Sequence, residues 1–117
     1  LKGKKVPMES KLYLYQNEIP VEELGGGVSR QILGYNENMM MVKVIFEKDA
    51  IGYVHQHPHT QTTYCAMGAF EFTIGTAKQI VKAGDATYIP PGISHGVLCL
   101  EAGVLIDTFN PVREDFL

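Results

Sequence analysis

Every histidine of this chain falls in one of two short stretches, His55-Gln56-His57-Pro58-His59-Thr60-Gln61 and Pro90-Pro91-Gly92-Ile93-Ser94-His95. Imidazole is the side chain most often used to bind transition metals at neutral pH, so this clustering points to a metal site. In an extended strand alternate side chains share a face, with a rise of about 3.3 Å per residue. His55 and His57 can then lean onto one ion with their nitrogens about 2.0 to 2.1 Å from it. Gln61 keeps the same parity and offers a carbonyl oxygen, and His95 arrives from another strand to close the set. The competing register pairs His57 with His59, but its third residue would be Thr63 or Tyr64, both poorer ligands for a divalent ion. His59 accordingly reads as pocket wall or as a support behind the ligands. The ion expected is a divalent transition metal of the zinc, nickel, manganese or iron class.

The elements that must carry these residues are strands. Short apolar or alternating runs separated by turn residues at close intervals mark an all-β sandwich or barrel. The pattern predicts strands over 12–16, 29–35, 39–46, 52–57, 62–68, 69–74, 79–81, 86–89, 96–100 and 104–109, with one helical turn over 19–23. Leu24-Gly25-Gly26-Gly27 reads as a flexible turn, and Gly75-Thr76-Ala77-Lys78 joins the two histidine-bearing halves. Gly68, Gly84 and Gly92 are expected at bends that need positive φ or close backbone approach. Pro90-Pro91-Gly92 fixes such a turn and delivers His95 to the next strand. Of Met39-Met40-Met41, one or two should face the core and the remainder a pocket or a dimer interface.

With 117 residues the chain has room for one core. A net charge of −3 argues against a general nucleic-acid surface, which is normally basic. Lys2, Lys4 and Lys5 read as a solvated basic start. No apolar run approaches the roughly 18 residues needed to span a bilayer, and no signal peptide is evident. Cys65 and Cys99 lie in apolar strand segments and are expected to be free buried thiols of a cytoplasmic protein.

The histidine stretches resemble the two motifs of the cupins. The first motif runs from a glycine through H-x-H and Glu to a glycine, and His55, His57, Gln61 and Gly68 fit it. The second runs from a glycine through P-x-G and His to Asn, and Gly84, Pro90, Gly92 and His95 fit it without a gap. Three positions depart: Asp49 stands for the opening glycine, Gln61 for Glu and Cys99 for the closing Asn. Of these, only Gln61 touches a ligand. The run H-x-H-P-H-x-Q and the tail Asp107-Thr108-Phe109-Asn110-Pro111-Val112-Arg113-Glu114-Asp115-Phe116 further resemble the pectin-degradation cupins of the KdgF type. That resemblance spans the chain from about Arg30 to the end. It implies a single-domain double-stranded β-helix, or jelly-roll barrel, over 29–117. Residues 1–28 would form an N-terminal strand and loop that pack on the barrel or on a dimer partner. It also implies a metal held by three His and one Gln, with Asp107, Phe109 and Arg113 lining the pocket.

Four neutral ligands leave the charge of a divalent ion uncompensated, which favours an anionic or hydroxylated ligand and weakens an oxygenase reading. Leu105, Asp107 and Phe109 share parity on the final strand, and an inward Asp107 is placed to exchange a proton with a bound sugar. Taken without the resemblance, Asp107 reads as a strand-end residue capping a turn, Arg113 as a surface charge and Phe109 as core. With it, the three become the catalytic group: Asp107 moves a proton, Arg113 clamps a uronate carboxylate and Phe109 stacks on the sugar. The expected activity is ring opening and tautomerisation of unsaturated monouronates to the linear 5-keto-4-deoxyuronate, by a cytoplasmic homodimer that binds a small anionic sugar and neither nucleic acid nor membrane. The rivals are another metal-dependent cupin enzyme, a dioxygenase or sugar isomerase, and a non-catalytic sugar- or metal-binding module.

Overall fold

The computed structural model describes residues 8–117. Eight strands appear in chain order: β1 Glu22–Gly25, β2 Val28–Asn36, β3 Met39–Phe46, β4 Ile51–His55, β5 Thr60–Ile74, β6 Ala77–Lys82, β7 Ala86–Ile89 and β8 His95–Asn110. One 3-10 turn, Glu114–Phe116, follows. All pairings are antiparallel, in the order β1-β2-β3-β8-β5-β6, with β4 added to β8 and β7 to β5. The expected all-β architecture is therefore present. Among the described residues no helix is long and apolar enough to cross a membrane.

Two pairs of predicted strands are in fact two long ones. β5 joins 62–68 to 69–74, and β8 joins 96–100 to 104–109. They pair with each other from Thr60↔Asn110 to Ile74↔His95, with register shifts around Met67 and Ala69. The bend is made by Gly68, at φ +86°, where a Cβ would lie 2.6 Å from the carbonyl oxygens of Glu101 and Ala102. In sequence these glycines look like strand ends; in space they are bulges that turn the ladder without breaking it. On one side of the bend β5 pairs with β7 and on the other with β6, while β8 follows it on both sides.

The amino-terminal segment differs from expectation. Residues 12–16 form no strand, and the turn expected over 19–23 gives way to β1, which is paired to β2 through Glu22↔Arg30 and Glu23↔Ser29. The segment is fastened differently: buried Gln31 donates its side-chain amide to the carbonyls of Gln16 and Ile19, both at 3.0 Å. That attachment lies on the barrel itself, whereas Lys2, Lys4 and Lys5 lie outside the described residues.

Alternation along the strands builds the core. Phe46, Cys65, Phe70, Phe72, Cys99 and Leu105 fill one cluster, with Phe46 and Phe70 edge to face at 5.1 Å. Met40, Val42, Phe109 and Val112 form a second. Full burial of a side chain such as Phe70 contributes roughly 1.5 to 3 kcal/mol. Met40 is buried while Met39 and Met41 face outward, as a period of two requires. Cys65 and Cys99 are free, and burial pushes both thiols up, leaving them inert core residues. Asp49, which replaces the cupin glycine, sits at φ +72°. It occupies the left-handed conformation that glycine would adopt without strain, and Asp tolerates that region better than most residues.

Candidate metal centre and adjoining pocket

The ligand candidates converge because strand register places them together. His55 of β4 stands opposite His95 of β8. His57 follows two residues on, and Gln61 opens β5 on its inward face. Ring centroids lie 4.4 Å apart for His55 and His95, 4.9 Å for His57 and His95, and 5.5 Å for His55 and His57. One nitrogen from each ring falls within 4.8 Å of the others, so the cluster could hold a metal ion.

Hydrogen bonds orient these rings. His55 and His95 each donate Nδ1–H to the carbonyl two residues earlier, Tyr53 and Ile93, at 2.9 Å. Such bonds fix the tautomer and aim the Nε2 lone pair at the metal position. Nε2 of His95 is buried without a partner, an orphan that an ion would satisfy. His57 Nε2 and Gln61 Oε1 are 2.9 Å apart. Two donors at right angles, each about 2.1 Å from one ion, stand about 3.0 Å apart, so the pair fits neighbouring positions on a metal. In the ion's absence the imidazole N–H donates to the carbonyl. Burial lowers the basicity of both His57 and His95, which keeps them neutral and ready to ligate near neutral pH. His59 packs edge to face on His57 at 5.3 Å and lies outside the cluster.

A hydrogen-bonded run leads away from the ligands into the barrel. Gln61 Nε2 donates to Thr63 Oγ1 at 2.9 Å, and Thr63 Oγ1 donates to Asp107 Oδ1 at 2.6 Å. The reason is register: Gln61, Thr63 and Cys65 face inward on β5 and stand opposite Phe109, Asp107 and Leu105 of β8. Asp107 is half-buried and lines the cavity. Burial raises its pKa to about 6, against the lowering effect of the hydrogen bonds from Thr63 and Gln61 and of the charge on Arg113.

The cavity, about 260 Å³, is lined by His55, Gln61, His95, Asp107, Phe109 and Arg113 among others. Phe109 is 3% exposed and edges onto His57 at 5.7 Å. Arg113 is buried against Phe109 and Phe116, its guanidinium 5.0 and 4.2 Å from their centroids. Its Nε and Nη2 donate to the two carboxylate oxygens of Asp115 at 3.0 and 2.8 Å, a bidentate pair that holds the Asp115 carboxyl below its usual range. Sequence reasoning missed three contributors to this wall. Thr63 was weighed only as a poor ligand, although its parity with Gln61 marks it as inward. Arg30 and Phe116 also line the cavity, their side chains stacked at 3.9 Å, and nothing in the local sequence of either announces it.

Residues 42–108 match the Cupin domain family. Over 107 residues the chain is 49% identical to pectin degradation protein KdgF of Dickeya dadantii (strain 3937), covering 90% of this chain and 97% of that protein. Among solved structures, an RmlC-like cupin from Shewanella frigidimarina NCIMB 400 superposes with a TM-score of 0.92 at 41% identity, covering 94% of this chain and 99% of that one. KdgF from Halomonas sp. superposes with a TM-score of 0.88 at 33% identity, covering 92% and 100%.

Proposed function

Because this chain belongs to the cupin family and is closely related to pectin degradation protein KdgF, we propose that it linearises 4,5-unsaturated monouronates derived from pectin or alginate. In such a sugar the ring oxygen joins a hemiacetal carbon, C1, to an enol-ether carbon, C5, that bears the carboxylate. Linearisation removes the proton of the C1 hydroxyl, breaks the bond between C1 and the ring oxygen, and adds a proton at C4. The product, a 5-keto-4-deoxyuronate, is an isomer of the reactant, so no oxidant or reductant is required.

The reaction asks for one group that takes a proton and returns it at a second position. Asp107 is that group in our reading: its carboxylate receives the C1 hydroxyl proton and delivers it to C4. Thr63 holds the carboxyl in place through its 2.6 Å hydrogen bond. Phe109 offers an apolar face to the sugar ring, and Arg113 places positive charge on the carboxylate side of the cavity. A metal held by His55, His57, His95 and Gln61 would supply the charge that orients and polarises a sugar oxygen. The observation that carries the proposal is the run from His57 through Gln61 and Thr63 to Asp107, which sets an inward carboxyl beside the ligand cluster in a cavity of monosaccharide size. The test is incubation of metal-loaded protein with unsaturated galacturonate while the enol-ether absorbance is followed. Loss faster than the spontaneous rate is expected, and an unchanged rate would reject the activity.

A further inference from the structure

The cavity carries two guanidinium groups, and they are not equally occupied. Arg113 has one edge of its fork committed to both oxygens of Asp115. Arg30, on β2, uses only Nε, which donates to Glu22 Oε1 at 3.0 Å. Among the described residues its two terminal nitrogens donate to no protein acceptor. The Arg30 side chain is 16% exposed and that of Glu22 42%, so the pair is partly solvated and weak, whereas the guanidinium itself is confined. Confinement comes from Phe116, whose ring centroid lies 3.9 Å from Arg30 and 4.2 Å from Arg113.

Arg30 lines the cavity, and a planar guanidinium held by stacking, with its terminal N–H donors free, is pre-organised for a carboxylate. We propose that Arg30 is a specificity-determining residue that receives the carboxylate of an acidic monosaccharide with its terminal nitrogens. Phe116 fixes the plane of the guanidinium, and Glu22 holds its Nε from outside. Arg113, already paired, contributes charge and wall. The assignment rests on the uronate reading for the kind of ligand, but it concerns binding and is separable from turnover.

The alternative is that Arg30 only pins β1 and the carboxyl-terminal turn to the barrel. The two roles diverge when an acidic and a neutral sugar of the same shape are compared. Full-length protein reconstituted with Zn²⁺ or Ni²⁺ is titrated calorimetrically with galacturonate and with galactose. Arg30→Gln should weaken galacturonate about 10- to 100-fold, the worth of a charged hydrogen-bonded pair, and leave galactose unchanged. Arg30→Lys keeps the charge without the paired donors and should fall between Gln and wild type. Glu22→Gln removes the outside partner and frees the guanidinium, so the preference for the acid should be kept or increased. The proposal is overturned if wild type shows no preference for galacturonate, if Arg30→Gln lowers both sugars equally or neither, or if Glu22→Gln reproduces the loss seen in Arg30→Gln. Should Arg30→Gln fail to fold, the Lys and Glu22 variants decide the matter alone. An acid preference that depends on Arg30, in a protein that never consumes unsaturated uronates, would reject the proposed activity and leave this assignment standing.

Discussion

Replacing Asp107 by Asn should stabilise the metal-free protein at neutral pH while abolishing its proposed chemistry. A carboxyl whose pKa is raised from 3.8 to about 6 by burial is folded most favourably in its protonated form. The ionised form therefore carries a penalty of about 3 kcal/mol. The sign follows from linkage: below the unfolded value of 3.8 the group is neutral in both states and contributes no penalty. As pH rises the unfolded chain releases its proton first, and above about 6 the whole cost falls on the folded state. Asn cannot ionise and still accepts the hydrogen bond from Thr63, at the expense of an amide that needs a partner. Wild type and Asp107→Asn should thus be of similar stability near pH 4 and diverge as pH increases, the variant gaining about 1 to 3 kcal/mol by pH 7.5. Denaturant titrations of chelator-treated protein at several pH values would measure this. Taking the difference between the two chains removes the contributions of His57 and His95, which titrate in both. A gap that stays constant with pH, or a variant less stable at pH 7.5, would refute the account of Asp107 as a buried and reluctant anion. On metal-loaded protein the same substitution should eliminate turnover and leave metal content intact.

Three further outcomes can be stated. His57→Ala should lose stoichiometric metal and His59→Ala retain most of it, as read by elemental analysis; the reverse result would move the site to the other histidine register. Gln61→Glu should hold metal at least as tightly, yet bind a uronate more weakly because the added anion cancels part of the ion's charge; calorimetric titration with the metal measures the first effect and titration with galacturonate the second. Asp49→Gly should be neutral or stabilising by up to about 1 kcal/mol and Asp49→Val clearly destabilising, because φ +72° suits glycine and excludes a β-branched residue; thermal melts that rank them otherwise would contradict the left-handed assignment.

Much of the site could be read before the fold was known because its residues obey a period of two. Gln61 and Thr63 alternate on β5 and stand opposite Phe109 and Asp107 of β8, and His55 stands opposite His95, as that parity requires; β4 ends at His55, however, so the strand expected over 52–57 stops short and His57 reaches the cluster from the loop beyond it. What escaped notice depends on distant chain segments meeting. Arg30 reaches the cavity because β2 lies beside β3, and Phe116 because the final turn folds back over Phe109. Neither fact has a local signature. β1 was hidden by Gly25-Gly26-Gly27, the first of which ends the strand while the other two form the turn that follows it, and the continuity of β5 and β8 was hidden by glycines that bend a ladder as readily as they end one.

The long pairing of β5 with β8 also bears on the order in which the molecule can assemble. Ile74↔His95 encloses the shortest stretch of intervening chain and Thr60↔Asn110 the longest. Loop-closure entropy favours starting at the first and zipping toward the second. Each paired step shortens the effective loop left for the next. Gln61, Thr63, Asp107 and Phe109 lie at the far end, so they come into register only after the zipper has passed the Gly68 bend. The ion-binding set, with His95 at the near end of the ladder and Gln61 toward the far end, is then complete only when folding is: added metal should slow unfolding of the finished barrel while leaving the refolding rate almost unchanged.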